Sequence, residues 1–241
     1  MGVEIKYHSG ESTLHGYYAA PQSHGPAPCV LVVHEWWGCN DYVKRRADML
    51  AEEGYAAMAI DLYGDGKTAS NASEAGELMG TLLSQENAVL ERFKAALDVV
   101  KSQSDVDPNK IAGIGYCLGG AVVLNMARAG LDLNLVASFH GNLSTPSPAQ
   151  PGTVRAQVAV FHGNDDVMIP REQVTAFKKE MDDAGVDYHF VGYEGAMHGF
   201  TNPLATERGQ TNELPLAYNE EADIDSWNQL LKLLATLNPI G

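Results

Sequence analysis

Apolar and polar positions follow two rhythms along this chain, and the rhythms take turns. Short β-rich runs at Val3–His8 and Thr13–Ala19, separated by Ser9-Gly10-Glu11, predict a hairpin. The run from Cys29 to Val33, ending in His34, is continuously apolar, as expected of a strand buried on both faces. Asp41–Glu53 switches to helical spacing, with Tyr42, Val43, Ala47, Leu50 and Ala51 recurring on one side and Gly54 as the stop. Tyr55–Ile60 predicts a strand, Ser73–Ser102 one or two helices, Lys110–Tyr116 a strand, and Ala121–Ala127 a helix. Leu135–Phe139, Val154–Phe161 and Tyr188–Tyr193 predict three more strands. A helix over Glu172–Ala184, ended by Gly185, lies between the last two, and Glu220–Leu237 predicts a closing amphipathic helix.

Strands that alternate with helices imply an α/β protein with a mostly parallel central sheet and helices on both faces. The opening hairpin would add an antiparallel edge. No repeat, low-complexity stretch or linker divides the chain. The most loop-like segment, Pro146 to Gly152, is too short to mark a boundary, so residues 1–241 are expected to form a single domain.

Composition narrows the partners. The net charge of −15 argues against a nucleic-acid binder and against attraction to anionic membranes. No apolar stretch reaches the roughly 20 residues of a spanning helix. The first residues lack the basic and apolar regions of a secretory leader. Cys29, Cys39 and Cys117 are odd in number and show no framework spacing, which fits a reducing compartment; the cytoplasm is the expected location. Neither H-E-x-x-H nor C-x-x-C occurs, so no metal is expected. Gly113-Ile114-Gly115 lacks the lysine of a phosphate loop and the rest of a dinucleotide fingerprint, so no cofactor is expected.

The candidate chemistry begins at Cys117, in Gly115-Tyr116-Cys117-Leu118-Gly119-Gly120. A G-x-C-x-G segment between a strand and a helix is the setting of a nucleophile elbow, with sulfur in place of the commoner serine hydroxyl. A thiol nucleophile needs a base, and the base needs an orienting group. In a parallel sheet such groups collect past the strands' C-terminal ends. Past Val158–Phe161 come Asp165 and Asp166; past Phe190–Tyr193 comes His198. The resulting order of nucleophile, acid and histidine is that of the α/β-hydrolase fold.

With these residues in view, the chain resembles the dienelactone hydrolase family of α/β-hydrolases over nearly its whole length. The landmarks are His34-Glu35-Trp36-Trp37-Gly38, Asp61-Leu62-Tyr63-Gly64, Gly115–Gly120, His162–Pro170 and Gly195–Phe200. The resemblance implies that the acid is Asp166, four residues before Pro170, so that the triad is Cys117, His198 and Asp166. It implies that Glu35 modulates the thiol, and that the backbone N–H groups of Trp36 and Leu118 form the oxyanion hole. Trp37, Tyr63, His140 and Phe200 follow strands at the same edge and are candidates for the pocket wall.

The family's best-studied substrate carries a carboxylate held by arginines. Here Thr68–Glu86 contains no arginine, and the first basic residue after His198 is Arg208. A neutral ester or lactone is therefore the expected small-molecule substrate, with hydrolysis through an acyl-enzyme. The oligomeric state, monomer or small homo-oligomer, is left open by the sequence. The alternative is a catalytically silent, ligand-binding member of the same fold; the presence of all three triad residue types argues against it.

Overall fold

The computed structural model describes residues 1–21 and 25–237. Eight strands hydrogen-bond into one sheet in the order β1-β2-β4-β3-β5-β6-β7-β8, mostly parallel with an antiparallel start and helices on both sides. The chain divides into two compact units, Met1–Gly113 and Ile114–Gly241, and the dividing point falls inside β5.

The first unit holds β1 (Val3–Ser9), β2 (Ser12–Ala19), β3 (Ala27–Val33), α1 (Asp41–Glu52), β4 (Ala56–Ile60), α2 (Ala72–Ser84), α3 (Ala88–Lys101) and the start of β5 (Val106–Tyr116). The hairpin pairs Val3 with Tyr18, and β2 runs antiparallel to β4. All residues of β3 and β4 are buried, as their unbroken apolar runs require. The stretch expected to hold one or two helices holds two. They part at Gln85, whose extended ψ of 117° ends α2, and α3 starts after Asn87, which has a left-handed φ of 60°. β5 begins four residues earlier than its apolar pattern suggests: Asp107 and Asn109 are polar, Pro108 and Asn109 are exposed, and so this stretch of the strand carries no apolar signal.

The second unit holds the end of β5, α4 (Leu118–Arg128), β6 (Leu135–Phe139), β7 (Gln157–Gly163), α5 (Arg171–Ala184), β8 (Tyr188–Tyr193), α6 (Ala205–Asn212) and α7 (Glu220–Leu234), which closes in a 3-10 turn over Ala235–Leu237. β7 starts at Gln157 rather than Val154, since Thr153 is turned back onto the carbonyl of Gln150. It runs past Phe161 because His162 and Gly163 pair with Gly192 and Tyr193 of β8. Arg128 of α4 meets Glu180 of α5 through two hydrogen bonds of 2.8 Å. The short helix α6 was not signalled: its residues carry no apolar stripe.

Candidate active site

Cys117 is the hinge between β5 and α4. Its φ of 52° is a conformation that side chains rarely adopt, and its N–H is held by the carbonyl of Phe139 at 3.0 Å. The neighbouring glycines make that turn possible. A Cβ on Gly115 would collide with the carbonyl of Gly119, and one on Gly120 would lie 2.5 Å from the Ser138 hydroxyl and 2.9 Å from Gly141 Cα. Strand and helix therefore approach at contact distance, and the thiol is pushed out of the turn, half-buried. No side chain caps α4, which leaves the first-turn N–H groups, beginning with Leu118, as the positive end of the helix.

His198 lies beyond β8. Its Nδ1 is 2.8 Å from Asp166 Oδ2. The other oxygen of Asp166 accepts the N–H groups of Met168 at 2.8 Å and Ile169 at 3.2 Å, so this carboxylate is fixed from both sides. Asp165 is exposed, and among the described residues its side chain takes only the N–H of Gly195, at 3.4 Å. The imidazole is 4% exposed. Burial disfavours its charged form, yet the charge of Cys117 and the Asp166 hydrogen bond outweigh that penalty and push it up to about 10. Its second nitrogen, Nε2, is buried with no conventional hydrogen-bond partner. Loop geometry seats the ring from the far side: Ala217 N–H donates to the His198 carbonyl and Asn219 N–H to that of Phe200.

His140 crowds the same ring, and Phe200 packs on His140. His140 sits edge-on to His198 with centroids 5.3 Å apart, edge-on to Phe200 at the same distance, and 2.8 Å from the Thr201 hydroxyl. Phe200 is fully buried and also meets Tyr193. Thr201 and His162 belong to this neighbourhood too, although only a buried polar residue beside an apolar run could have signalled them.

Glu35, Trp36, Trp37 and Tyr63 belong to the first unit, just past β3 and β4. Glu35 is 5% exposed and Trp37 2%, while Trp36 is half-buried with its ring edge-on to Trp37. The chain here is held by a buried polar network. Asp61 accepts four backbone N–H groups, from His15, Tyr63, Gly64 and Gly66, at 2.9 to 3.0 Å. His34 accepts the Leu62 N–H at Nε2, 3.2 Å away. Because that nitrogen must accept, the ring proton is on Nδ1, which donates to the Glu35 carbonyl. Burial lowers the pKa of His34, which preserves this neutral tautomer. The Tyr63 hydroxyl donates to the Trp36 carbonyl at 2.8 Å. Two successive peptide planes are thus fixed, and in a trans peptide the Trp36 N–H points opposite the clamped Glu35 carbonyl.

The three thiols differ. Cys29 and Cys39 are buried and burial raises both, Cys39 to about 12, so each stays a neutral core residue; only Cys117 is partly exposed. Among the described residues, no group of three or more His, Cys, Asp or Glu could hold a metal ion.

Comparison with known proteins places this arrangement. A family model described as the dienelactone hydrolase family matches residues 14–238. A protein of Aquifex aeolicus, provisionally named a carboxymethylenebutenolidase, is 30% identical over 84% of this chain and 88% of its own. The crystal structure of a dienelactone hydrolase-like promiscuous phosphotriesterase from metagenomic libraries is 32% identical, covers 98% of both chains and superposes with a TM-score of 0.90. A thermophilic esterase of Thermogutta terrifontis, 19% identical with a TM-score of 0.69 over 100% of this chain and 97% of its own, shares the fold.

Proposed function

The chain belongs to the dienelactone hydrolase family and is a hydrolase of ester or lactone bonds; on that premise we propose that Cys117 is its nucleophile, His198 its general acid and base, and Asp166 the group that orients His198. The observation that carries this reading is the state of His198. One nitrogen is bound to Asp166, the other is buried without an oxygen or nitrogen partner, and the Cys117 side chain acts on the ring by its charge and by a hydrogen bond.

The thiolate attacks the carbonyl carbon, forming a C–S bond as the π electrons move onto oxygen. The N–H groups of Leu118 and Trp36 receive that oxyanion. Support for Leu118 is its place in the uncapped first turn of α4; support for Trp36 is the clamp that His34 and Tyr63 place on its peptide planes. His198 then gives its proton to the departing alkoxide, and an acyl-enzyme remains. Water attacks that thioester while His198 takes its proton, and collapse returns the thiolate and a carboxylic acid. Glu35, at the end of β3, is assigned the task of holding the thiol neutral until substrate enters. A Glu35→Gln variant should react with iodoacetamide faster near neutral pH; an unchanged rate and pH profile would remove Glu35 from the account.

The substrate is a neutral ester or lactone, on the ground that no arginine stands in Thr68–Glu86 or in the nine residues after His198. Three free thiols fit a cytoplasmic site of action, and among the described residues no helix is long and apolar enough to cross a membrane. Rapid-quench mass spectrometry with p-nitrophenyl acetate tests the central step: a 42 Da acetyl adduct should map to Cys117. Turnover without that adduct, or undiminished turnover in Cys117→Ala, would overturn it. A panel of esters and lactones with and without a free carboxylate, plus one phosphotriester, would then locate the substrate class.

A further inference from the structure

A second feature of the Ile114–Gly241 unit adjoins the proposed triad, with Asp166 in its lining, but does not rest on the hydrolase reading. Between α5 and the ends of β7 and β8 lies an open cavity of about 500 Å³. Arg171 and Lys178 border it from α5, two turns apart and so on one face of the helix; His162 and Asn164 border it from the end of β7, and Phe190 from β8. Its lining is unlike the rest of a chain that carries 31 acidic and 16 basic residues.

Both cations are available. Among the described residues neither forms an ion pair, and the Lys178 ammonium is held 4.2 Å above the centre of the Phe190 ring. The acids nearby are already engaged. Asp166 spends both oxygens on Met168, Ile169 and His198, and Glu194 is bound by the Asn164 amide. The floor adds a polar group without a partner: His162 is 4% exposed, and its Nδ1 is buried with no hydrogen bond among the described residues. A buried nitrogen left unpaired in a polar, accessible cavity calls for a bound species.

We propose that this cavity is a binding site for a small tetrahedral oxyanion of the phosphoryl class, held by Arg171 and Lys178 from α5 and by His162 from β7. Arginine supplies a forked pair of donors, lysine a point charge, and the imidazole a third donor from the opposite wall. Donors converging from two walls suit a tetrahedral group better than a flat carboxylate. Binding is also proton-linked. Burial lowers the pKa of His162, with His198 and Lys178 adding to that and Asp166 opposing it. An anion beside the ring favours the imidazolium, so binding takes up a proton and tightens as pH falls.

The test is calorimetric titration of the full chain with sulfate, a tetrahedral dianion whose charge is constant across the range, and with inorganic phosphate and acetate in parallel at fixed ionic strength. The expected result is one saturable site of millimolar affinity that tightens between pH 8 and pH 6, with the ring C–H resonances of His162 moving on saturation. Arg171→Gln and Lys178→Gln should each weaken binding about tenfold. Neither should alter the melting temperature or anion-free ester turnover. Absence of saturable binding at tens of millimolar would overturn the proposal. So would acetate binding as tightly as sulfate, or unchanged affinity in the double variant, which would mean an adventitious ion only.

Discussion

Two buried histidines, one in each unit, divide the polar interior of this protein by use. His34 has both ring nitrogens occupied, by the Leu62 N–H and the Glu35 carbonyl, and burial keeps it neutral. His198 has one nitrogen on Asp166 and the other left to the Cys117 side chain, and its charged form is favoured. The carboxylates repeat the contrast. Asp61 is closed by four backbone N–H groups, whereas Asp166 keeps one oxygen for an imidazole. A buried polar group with every valence met can only hold shape, and one left open has capacity for chemistry.

The largest break in this contrast should come from the open side. His198→Ala is expected to lower kcat/KM for a p-nitrophenyl ester by on the order of 10⁴-fold with little change in fold, read by steady-state kinetics and circular dichroism. The closed side should fail in the other currency. Asp61→Ala strands four N–H groups, two of them in fully buried bonds, and should cost about 3–5 kcal/mol of stability in urea denaturation, a far greater loss than His198→Ala shows in the same experiment. If Asp61→Ala instead spares stability, the network around β4 is not closed as described.

A smaller effect separates holding from reacting. His34→Ala should lower kcat about 10- to 100-fold with KM nearly unchanged, because it frees the Glu35–Trp36 peptide plane. His34→Asn, whose amide can still donate to the Glu35 carbonyl, should recover most of that loss; equal defects in both variants would reduce His34 to a packing residue. The smallest effect is a pH dependence. His198 is raised in the folded state from an ordinary value of 6.5 to about 10, so its imidazolium stabilises the fold fully below 6.5 and loses that contribution as pH rises through 10. The stability gap between the wild type and His198→Asn should therefore narrow between pH 6.5 and pH 10. A gap that widened would reverse the sign assigned here.

The positions of Cys117, Asp166 and His198 were legible because each follows an apolar run whose period marks a strand, and strand ends in a parallel sheet share an edge. The choice between Asp165 and Asp166 was not legible from spacing. It depends on which carboxylate the Met168 and Ile169 N–H groups turn inward, and the family resemblance pointed to the same residue. The task of His34 and Asp61 escaped notice for a different reason: backbone acceptors and donors leave no pattern in side-chain type. Only a histidine and an aspartate closing two wholly apolar strands hinted at it. Helix α6 had no apolar stripe to announce it. Its Gly209 packs so closely that an added Cβ would lie 2.5 Å from the Leu216 carbonyl, a contact set by the chain that follows.

That following chain has one more consequence. The segment from Leu216 to Asn219 is what seats the loop carrying His198, through the pairing of His198 with Leu216 and the bonds from Ala217 and Asn219. During synthesis the thiol and the carboxylate therefore exist long before the imidazole has a fixed place. A nascent chain stalled or clipped ahead of Leu216 would carry Cys117, Asp166 and His198 without the segment that seats the His198 loop, so on the proposed triad the order of translation delays reactivity until Leu216–Asn219 has been made.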